Sequence, residues 1–566
     1  MSRPKSKGLS RTIISLLAIV VIAVAGIIAY MQFTAQPTTT TTPTSTSTTS
    51  TTVTTTTTTT PSTTTTTTPQ TVTTTTIGLK KVVRIGIGID ADNLDPHAQT
   101  TTPIQNIVNF ICEPLVWYNE NGVLAPYLAE SITTSEDGLQ VTVVLKKGIK
   151  FQDGTEFNSQ AVKFTFDRIL NPNVKVPNRA QLEALNSTEV IDNYTIKFNL
   201  KKRFAPFISA LSGWGIISPT TYQKLGEENI ARNLYNLGTG PYKFKEWVKG
   251  DRIVLVKFDE YWKGVPKIDE VVFKIVPEAQ TREAMLLAGD LDIAIAPPPP
   301  DVVKMNSTTG IIVYAADSTR YIYAGFNTQK EPFNNVKVRQ ALNYAVDKEA
   351  ITKNVLFNLG STVKGPFHQS MFGFSEQKPY EYNPDKAKQL LSEAGYPNGF
   401  KVKMMSPTGR YLFDRQVAEA IQSYLAKVGV TVELFTPDWP TFVSELMSKN
   451  ATSTSWDIVL IGWAGNYPDA DGALYATLHS SQWPPGKFNW AFYKNAEVDR
   501  LLDQGRIEPN PEQRAKIYAE AIKIIWEDCP DIWLYVQRYV VASSTKIHGL
   551  RFYPNEMFDI RSAYSD

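Results

Sequence analysis

Gly462-Trp463-Ala464-Gly465-Asn466-Tyr467-Pro468-Asp469 gathers an indole, an amide, a phenol and a carboxylate within eight residues. The rings offer flat stacking surfaces, the glycines give access to backbone, and Asn466 and Asp469 supply polar contacts. The segment follows the apolar run Asp457-Ile458-Val459-Leu460-Ile461, which reads as a strand. Open α/β sheets bind ligands beyond the C-terminal ends of their strands, so Trp463, Asn466, Tyr467 and Asp469 are candidate ligand contacts. A carboxylate pair such as Asp469 and Asp471 can suggest glycoside hydrolysis. Two residues apart beside Pro468, it better fits helix capping or ligand binding.

Other reactive patterns are weak. There is no G-x-x-x-x-G-K-[ST], H-E-x-x-H or G-x-S-x-G sequence, and the four histidines (His97, His368, His479, His548) are scattered singly. Gly86-Ile87-Gly88-Ile89-Asp90-Ala91 matches the dinucleotide pattern on paper. That mechanism needs a helix to open directly after the glycines. Here the glycines lie inside a β-branched strand pattern, and the turn Asn93-Leu94-Asp95-Pro96 follows. No cofactor, catalytic group or metal site is expected. Two cysteines are too few for a disulfide scaffold; Cys112 and Cys529 are open to pairing or to burial as thiols.

The elements that must carry these residues read as a layered α/β body from about residue 80. Strands are expected at 82–89, 194–200, 253–256, 271–276 and 457–461, the second from its alternation of Tyr194, Ile196, Phe198 and Leu200. Helices are expected over Asp385–Ala394, with Asp385 as cap, and over 413–428, leading through Gly429 into the strand Val430–Leu434. The last long helix has Asn510 as cap and Pro511 in its first turn. Ala296-Pro297-Pro298-Pro299-Pro300 is expected to be an extended loop.

Of the 566 residues, 42% are hydrophobic and 20% charged, which suits a sizeable core. Arg3, Lys5, Lys7 and Arg11 precede an uncharged stretch, Thr12 to Gln36, whose Ile13–Tyr30 is nearly all apolar. Beyond Gln36 there are 53 basic and 55 acidic residues (57 less those four, against 55), a balance that argues against nucleic acid as partner. Residues 1–36 read as a signal or membrane anchor with the N-terminus inside and the body outside. Residues 37–79 read as a disordered stalk: of the forty residues 37–76, twenty-nine are Thr, four Ser and four Pro.

Several motifs resemble one family. Asn93-Leu94-Asp95-Pro96, Glu113-Pro114-Leu115-Val116 and Leu145 to Gly154 resemble the opening of the solute-binding proteins of dipeptide and oligopeptide ABC importers. Gly238-Thr239-Gly240-Pro241-Tyr242, with Asp259-Glu260-Tyr261-Trp262, is similar to its central signature. Phe326-Asn327 to Asp347-Lys348, and Tyr382-Asn383-Pro384-Asp385 to Ala394-Gly395-Tyr396, extend the match in the family's order. Their glycines read as turn formers and the motifs as scaffold.

The resemblance implies a two-lobed periplasmic-binding-protein-like α/β fold of the large oligopeptide-binding subtype (type II). It has a hinge and is preceded by one transmembrane helix and a disordered linker. Lobe 1 would span 80–323, with 540–566 returning to it, and lobe 2 would span 324–539. It implies no enzyme but a receptor that captures a solute outside the cell and delivers it to an ABC permease with separate ATPase subunits. Lys7-Gly8-Leu9-Ser10 resembles the prepilin-type signals of archaeal binding proteins, which are cut after the glycine and keep the apolar helix. In peptide-binding relatives an Asp that pairs with the ligand's α-amino group falls where Asn466 stands here, and Arg410 falls near the Arg that meets the carboxylate. An amide cannot neutralise an ammonium. With Trp463 and Trp214 as stacking faces, an oligosaccharide of the β-linked, cellobiose type therefore stands beside an oligopeptide as the expected ligand. A tethered extracellular hydrolase and a surface-layer protein are the remaining readings.

Overall fold

Runs of β-branched and apolar residues set up two mixed sheets, each covered by helices. The computed structural model describes residues 80–566 apart from Asn121 and Asn466. The expected anchor (1–36) and stalk (37–79) lie outside the described residues. Among the described residues no helix is long and apolar enough to cross a membrane.

The first lobe is built on seven strands, in the order Ile311–Ala316, Tyr539–Ser544, Ile293–Ile295, Val82–Ile87, Glu270–Ile275, Arg252–Lys257, Tyr242–Val248. Val83, Ile85, Val271 and Phe273 have no exposed surface because they share the face of these strands that is turned to the core, while Arg84 and Val272 on the other face stay half-buried. Gly86 sits within the strand, paired with Lys274 and Ala294, and the next helix opens only at Thr102. The glycine pair therefore does not lead into a helix N-terminus. A four-stranded antiparallel sheet, Ala129–Thr134, Gln140–Leu145, Thr195–Leu200 and Leu185–Asp192, joins this lobe and packs on the helix Ser159–Leu170.

Three of the family-like motifs, at 113–116, 238–242 and 259–262, meet at one buried carboxylate. Glu113 accepts hydrogen bonds from Tyr127 Oη (2.8 Å), Tyr261 Oη (2.7 Å), Trp262 Nε1 (2.8 Å) and Thr239 Oγ1 (3.0 Å). They are scaffold, but the glycines at 238 and 240 act differently from the turn-forming role expected of them. A Cβ on Gly238 would lie 1.8 Å from Ile111 O, and one on Gly240 would lie 2.3 Å from Phe110 O. Close backbone approach, not a left-handed angle, excludes a side chain there.

The second lobe carries six strands, in the order Gly360–Thr362, Asp531–Gln537, Tyr321–Phe326, Ile458–Trp463, Lys401–Met405, Thr431–Phe435. The chain passes between the sheets twice, through Asp317–Arg320 and at Arg538. The strand Tyr321–Phe326 thus lies whole in the second sheet, where the sequence reading cut it at 324. After the return strand, the hairpin Arg551–Phe552/Phe558–Asp559 packs Phe558 against Phe110 and Phe273 of the first lobe.

Two local expectations change, and the open question of the cysteines is answered. The helix Pro384–Glu393 is capped by Asn383, whose side chain accepts from Lys386 N, while Asp385 lies inside the first turn. The proline run is not extended throughout: Pro299–Asp301 is a 3-10 turn leading into the helix Val302–Asn306. Cys112 and Cys529 are separate buried thiols, and burial pushes both pKa values up. The cap Asn510 of the helix Pro511–Asp528 accepts from Gln513 N at 2.9 Å.

Candidate functional site

Between the lobes lies a cavity lined from the first lobe by residues 96–118, 178–214 and 555–557 and from the second by residues 410–490. The lobes meet around it. Arg506 of the second lobe donates to Ala180 O (3.0 Å) and Glu183 Oε2 (3.3 Å) of the first. Gly88, just past the first-lobe strand, approaches Gly409 so closely that a Cβ would lie 1.9 Å from Gly409 O.

The structure divides the residues singled out from sequence. Trp463 ends the fully buried strand Ile458–Trp463 and lines the cavity. Its ring leans on Phe488 (5.2 Å between centroids), and its N–H donates to Gly472 O (2.9 Å). Trp214 lines the cavity from the first lobe, with its indole N–H buried and unpartnered. Arg410 lines it from the second. Asn466 lies outside the described residues.

Tyr467 and Asp469 do not line the cavity. Tyr467 packs into the first lobe's hydrophobic cluster and donates its hydroxyl to Asp471 (2.6 Å). Asp469 caps the helix Ala470–Leu478 and accepts both Arg514 Nη atoms at 2.6 and 2.7 Å. The carboxylate expected to contact ligand is therefore paired inside the second lobe. Asp471 is likewise held by Arg506 (3.0 Å).

Arg410 owes its position to a cap. Asp414, first residue of the helix Asp414–Ala426, accepts the backbone N–H of Gly409 (3.2 Å), Arg410 (2.8 Å) and Tyr411 (3.1 Å). This pins the loop against the helix. Burial raises Asp414 to about 6, against the pull of those N–H groups. The Arg410 guanidinium lies over the rings of Tyr411 (4.7 Å) and Trp439 (5.6 Å), and its Nε has no partner. Burial first, then the neighbouring Arg320, lowers Arg410 to about 10.

Sequence reasoning missed the group that organises this end of the cavity. Glu556 sits at the tip of the C-terminal hairpin. It accepts from Arg320 Nε and from Gln537 Nε2 (2.8 Å), and lies 3.9 Å from Arg410 Nη1. Arg320 also donates to Thr102 Oγ1 (2.7 Å) and Gly462 O (3.2 Å), and its carbonyl accepts Gln537 N (2.9 Å). One carboxylate thus ties both inter-lobe connections together beside the ligand space. No motif marks Glu556; the only hint is that Arg320 and Gln537 flank the expected crossings.

The arrangement can enclose a solute, stack on it and meet an anionic group. Among the described residues, no group of three or more His, Cys, Asp or Glu is placed to hold a metal ion.

Comparison with known proteins agrees with this geometry. The family model for bacterial extracellular solute-binding proteins, family 5 (middle region), matches residues 123–485. The chain is 34% identical over 486 residues to the glutathione-binding protein GsiB of Escherichia coli (strain K12), covering 85% of this chain and 94% of that protein. It superposes on the dipeptide-binding protein of Pseudoalteromonas sp. SM9913 in complex with Met-Leu, with a TM-score of 0.80 and 26% identity, over 86% of this chain and all of that one. The periplasmic binding protein DppA of Helicobacter pylori, in complex with the peptide STSA, gives a TM-score of 0.77 and 28% identity, over 86% and 98% of the two chains. On the matched model, the extent of the curated relative and the two-lobed architecture together, the chain belongs to family 5 of the bacterial extracellular solute-binding proteins.

Proposed function

We propose that this protein captures a short peptide or peptide-like acid between its lobes, outside the cell, and hands it unaltered to an ABC permease with separate ATPase subunits. The observation that carries the reading is Arg410: a guanidinium 5% exposed, lining the cavity, with its Nε unpaired. A buried charge without a full partner is costly, and a ligand carboxylate would supply that partner. Charge-assisted hydrogen bonds contribute about 1.5–3 kcal/mol each, a useful share of the ~8 kcal/mol of a micromolar complex. Relatives named for glutathione, or crystallised with Met-Leu and STSA, support an acid of peptide type. The family is one of binding proteins, not enzymes.

The uncharged stretch 12–36 and the Thr-rich stalk support tethering: a span in the membrane and a flexible spacer reaching roughly 35 Å. The tether keeps the receptor near its permease at high effective concentration.

The test is calorimetry of the full-length protein with glutathione, Met-Leu, Ser-Thr-Ser-Ala and cellobiose. Micromolar binding of at least one acid, lost on Arg410→Gln, is expected. Binding of cellobiose alone would replace this reading with the sugar receptor, and recovery of hydrolysed peptide would replace it with the enzyme. Recovery of the chain in the soluble rather than the membrane fraction of its own cells would remove the tether.

A further inference from the structure

The makeup of the cavity wall narrows the ligand beyond "acid", on the peptide-like reading just given. Arg320 and Arg410 are the only charged side chains among the described residues that line it. His97 also lines it as a neutral ring, with Nε2 2.9 Å from Gly215 O and Nδ1 2.7 Å from Arg168 Nη1. The carboxylates described beside the cavity are already engaged. Asp469 is held by Arg514, Asp471 by Arg506 and Tyr467, Asp414 by backbone N–H groups, and Glu556 by Arg320 and Gln537.

The neutral groups lean the same way. Four N–H donors on lining residues are buried without a partner: Arg410 Nε and the indole nitrogens of Trp214, Trp439 and Trp490. Against them stand two unpartnered amide oxygens, Gln99 Oε1 and Asn178 Oδ1, and the hydroxyls of Thr100 and Thr101, which serve either role. Such a wall suits a ligand rich in acceptors. An ammonium group inside it would meet two guanidiniums and no uncommitted carboxylate, and an uncompensated buried charge costs several kcal/mol. An acyl group in its place removes that charge and adds a carbonyl acceptor.

We infer that this receptor selects acids in which a free amine is dispensable: N-acylated peptides, or peptide-like acids whose nitrogen is in amide linkage. The carboxylate lies at Arg410 and the acyl and peptide oxygens take up the indole N–H groups.

The test is calorimetry of the full-length protein with matched triplets built on Met-Leu and on Ser-Thr-Ser-Ala: the free peptide, its N-acetyl form and its C-terminal amide. The N-acetyl form should bind within threefold of the free peptide or more tightly, and the amide at least 100-fold more weakly. A free peptide that binds while its acetyl form is 100-fold weaker overturns the inference and leaves the peptide reading standing. Silence towards both triplets overturns the peptide reading itself, and the inference falls with it.

Discussion

Glu556→Gln is the substitution that tests the hinge end of the cavity most directly. Glutamine keeps the shape and one acceptor oxygen but removes the charge that Arg320 and Arg410 share. The three side chains are 3–5% exposed, so solvent does little to replace it. Deleting one member of such a buried group costs about 3–5 kcal/mol. At ~2.1 cal/mol/K of unfolding entropy per residue, a body of this size loses about 1 kcal/mol per kelvin near Tm, so the midpoint should fall by about 3–5 °C. Affinity should move the other way. A ligand carboxylate on Arg410 would lie roughly 7 Å from Glu556, a repulsion of about 2 kcal/mol at an effective dielectric of ~20. Removing it should tighten acids by about tenfold or more and leave a neutral sugar unchanged. Thermal unfolding and calorimetry of the full-length variant with Met-Leu read both quantities. A midpoint within 1 °C of the parent refutes the shared-charge argument. A variant that loses acid affinity refutes it differently: Glu556 would then matter as the tie between the two connections and not as a charge.

Gly88→Ala places a Cβ 1.9 Å from Gly409 O, so the lobes should be held apart. Ligand affinity should fall at least tenfold, and small-angle scattering should show no ligand-induced compaction. Asp469→Asn removes the bidentate partner of the buried Arg514 and should destabilise by about 3 kcal/mol in chemical denaturation, with ligand affinity changed less than twofold. A large affinity loss would restore Asp469 to the ligand site. His97 is held near 4 by burial first and by Arg168 second, from an ordinary value of 6.5. The unfolded chain takes up a proton that the folded one refuses, so stability from this group is whole above 6.5 and is lost, up to about 3 kcal/mol, as pH falls towards 4. Asp531, raised by burial to about 8, contributes the opposite slope. The measure is therefore the difference curve between parent and His97→Gln, which should show that acid loss only in the parent.

Patterns that depend on local chemistry were readable from the sequence, and those that depend on the meeting of distant segments were not. Strand alternation at 195–200, the cap at Asn510 and the unsuitability of Gly86 and Gly88 for a phosphate loop follow from neighbours along the chain. The two-lobed fold came from the order of spaced motifs, three of which meet at Glu113 inside the first lobe. Asp385 and Asn383 are both good caps two residues apart, and only the observed Lys386 N–H bond decides between them. Trp463, Trp214 and Arg410 were found because large aromatic and guanidinium groups have few other uses at such positions. Tyr467 and Asp469 were misplaced because their partners, a first-lobe core and Arg514, lie far away in sequence. Glu556 left no signal at all: its partners are more than 200 residues upstream and 19 residues upstream, and nothing in its neighbourhood distinguishes it from a surface glutamate.

The placement of the two arginines bears on how a bound acid would be coupled to closure. Glu556 is carried by a hairpin seated on the first lobe through Phe558, Arg320 lies in the connection, and Arg410 is held on the second lobe by the Asp414 cap. Arg320 donates to Gly462 O and lies over the Tyr411 ring, so its guanidinium stands beside Arg410, and it is the second cause of the lowered Arg410 pKa after burial. Glu556, already accepting from Arg320 and Gln537, offsets only one of the two charges. One buried positive charge is thus left without a full partner in the empty protein, and a ligand carboxylate would supply that partner. A ligand shifts an equilibrium only by its difference in affinity for the two states. On the proposed function that difference would come from the buried Arg410 charge, so an acid should compact the protein in small-angle scattering and a neutral amide of the same shape should do so less well.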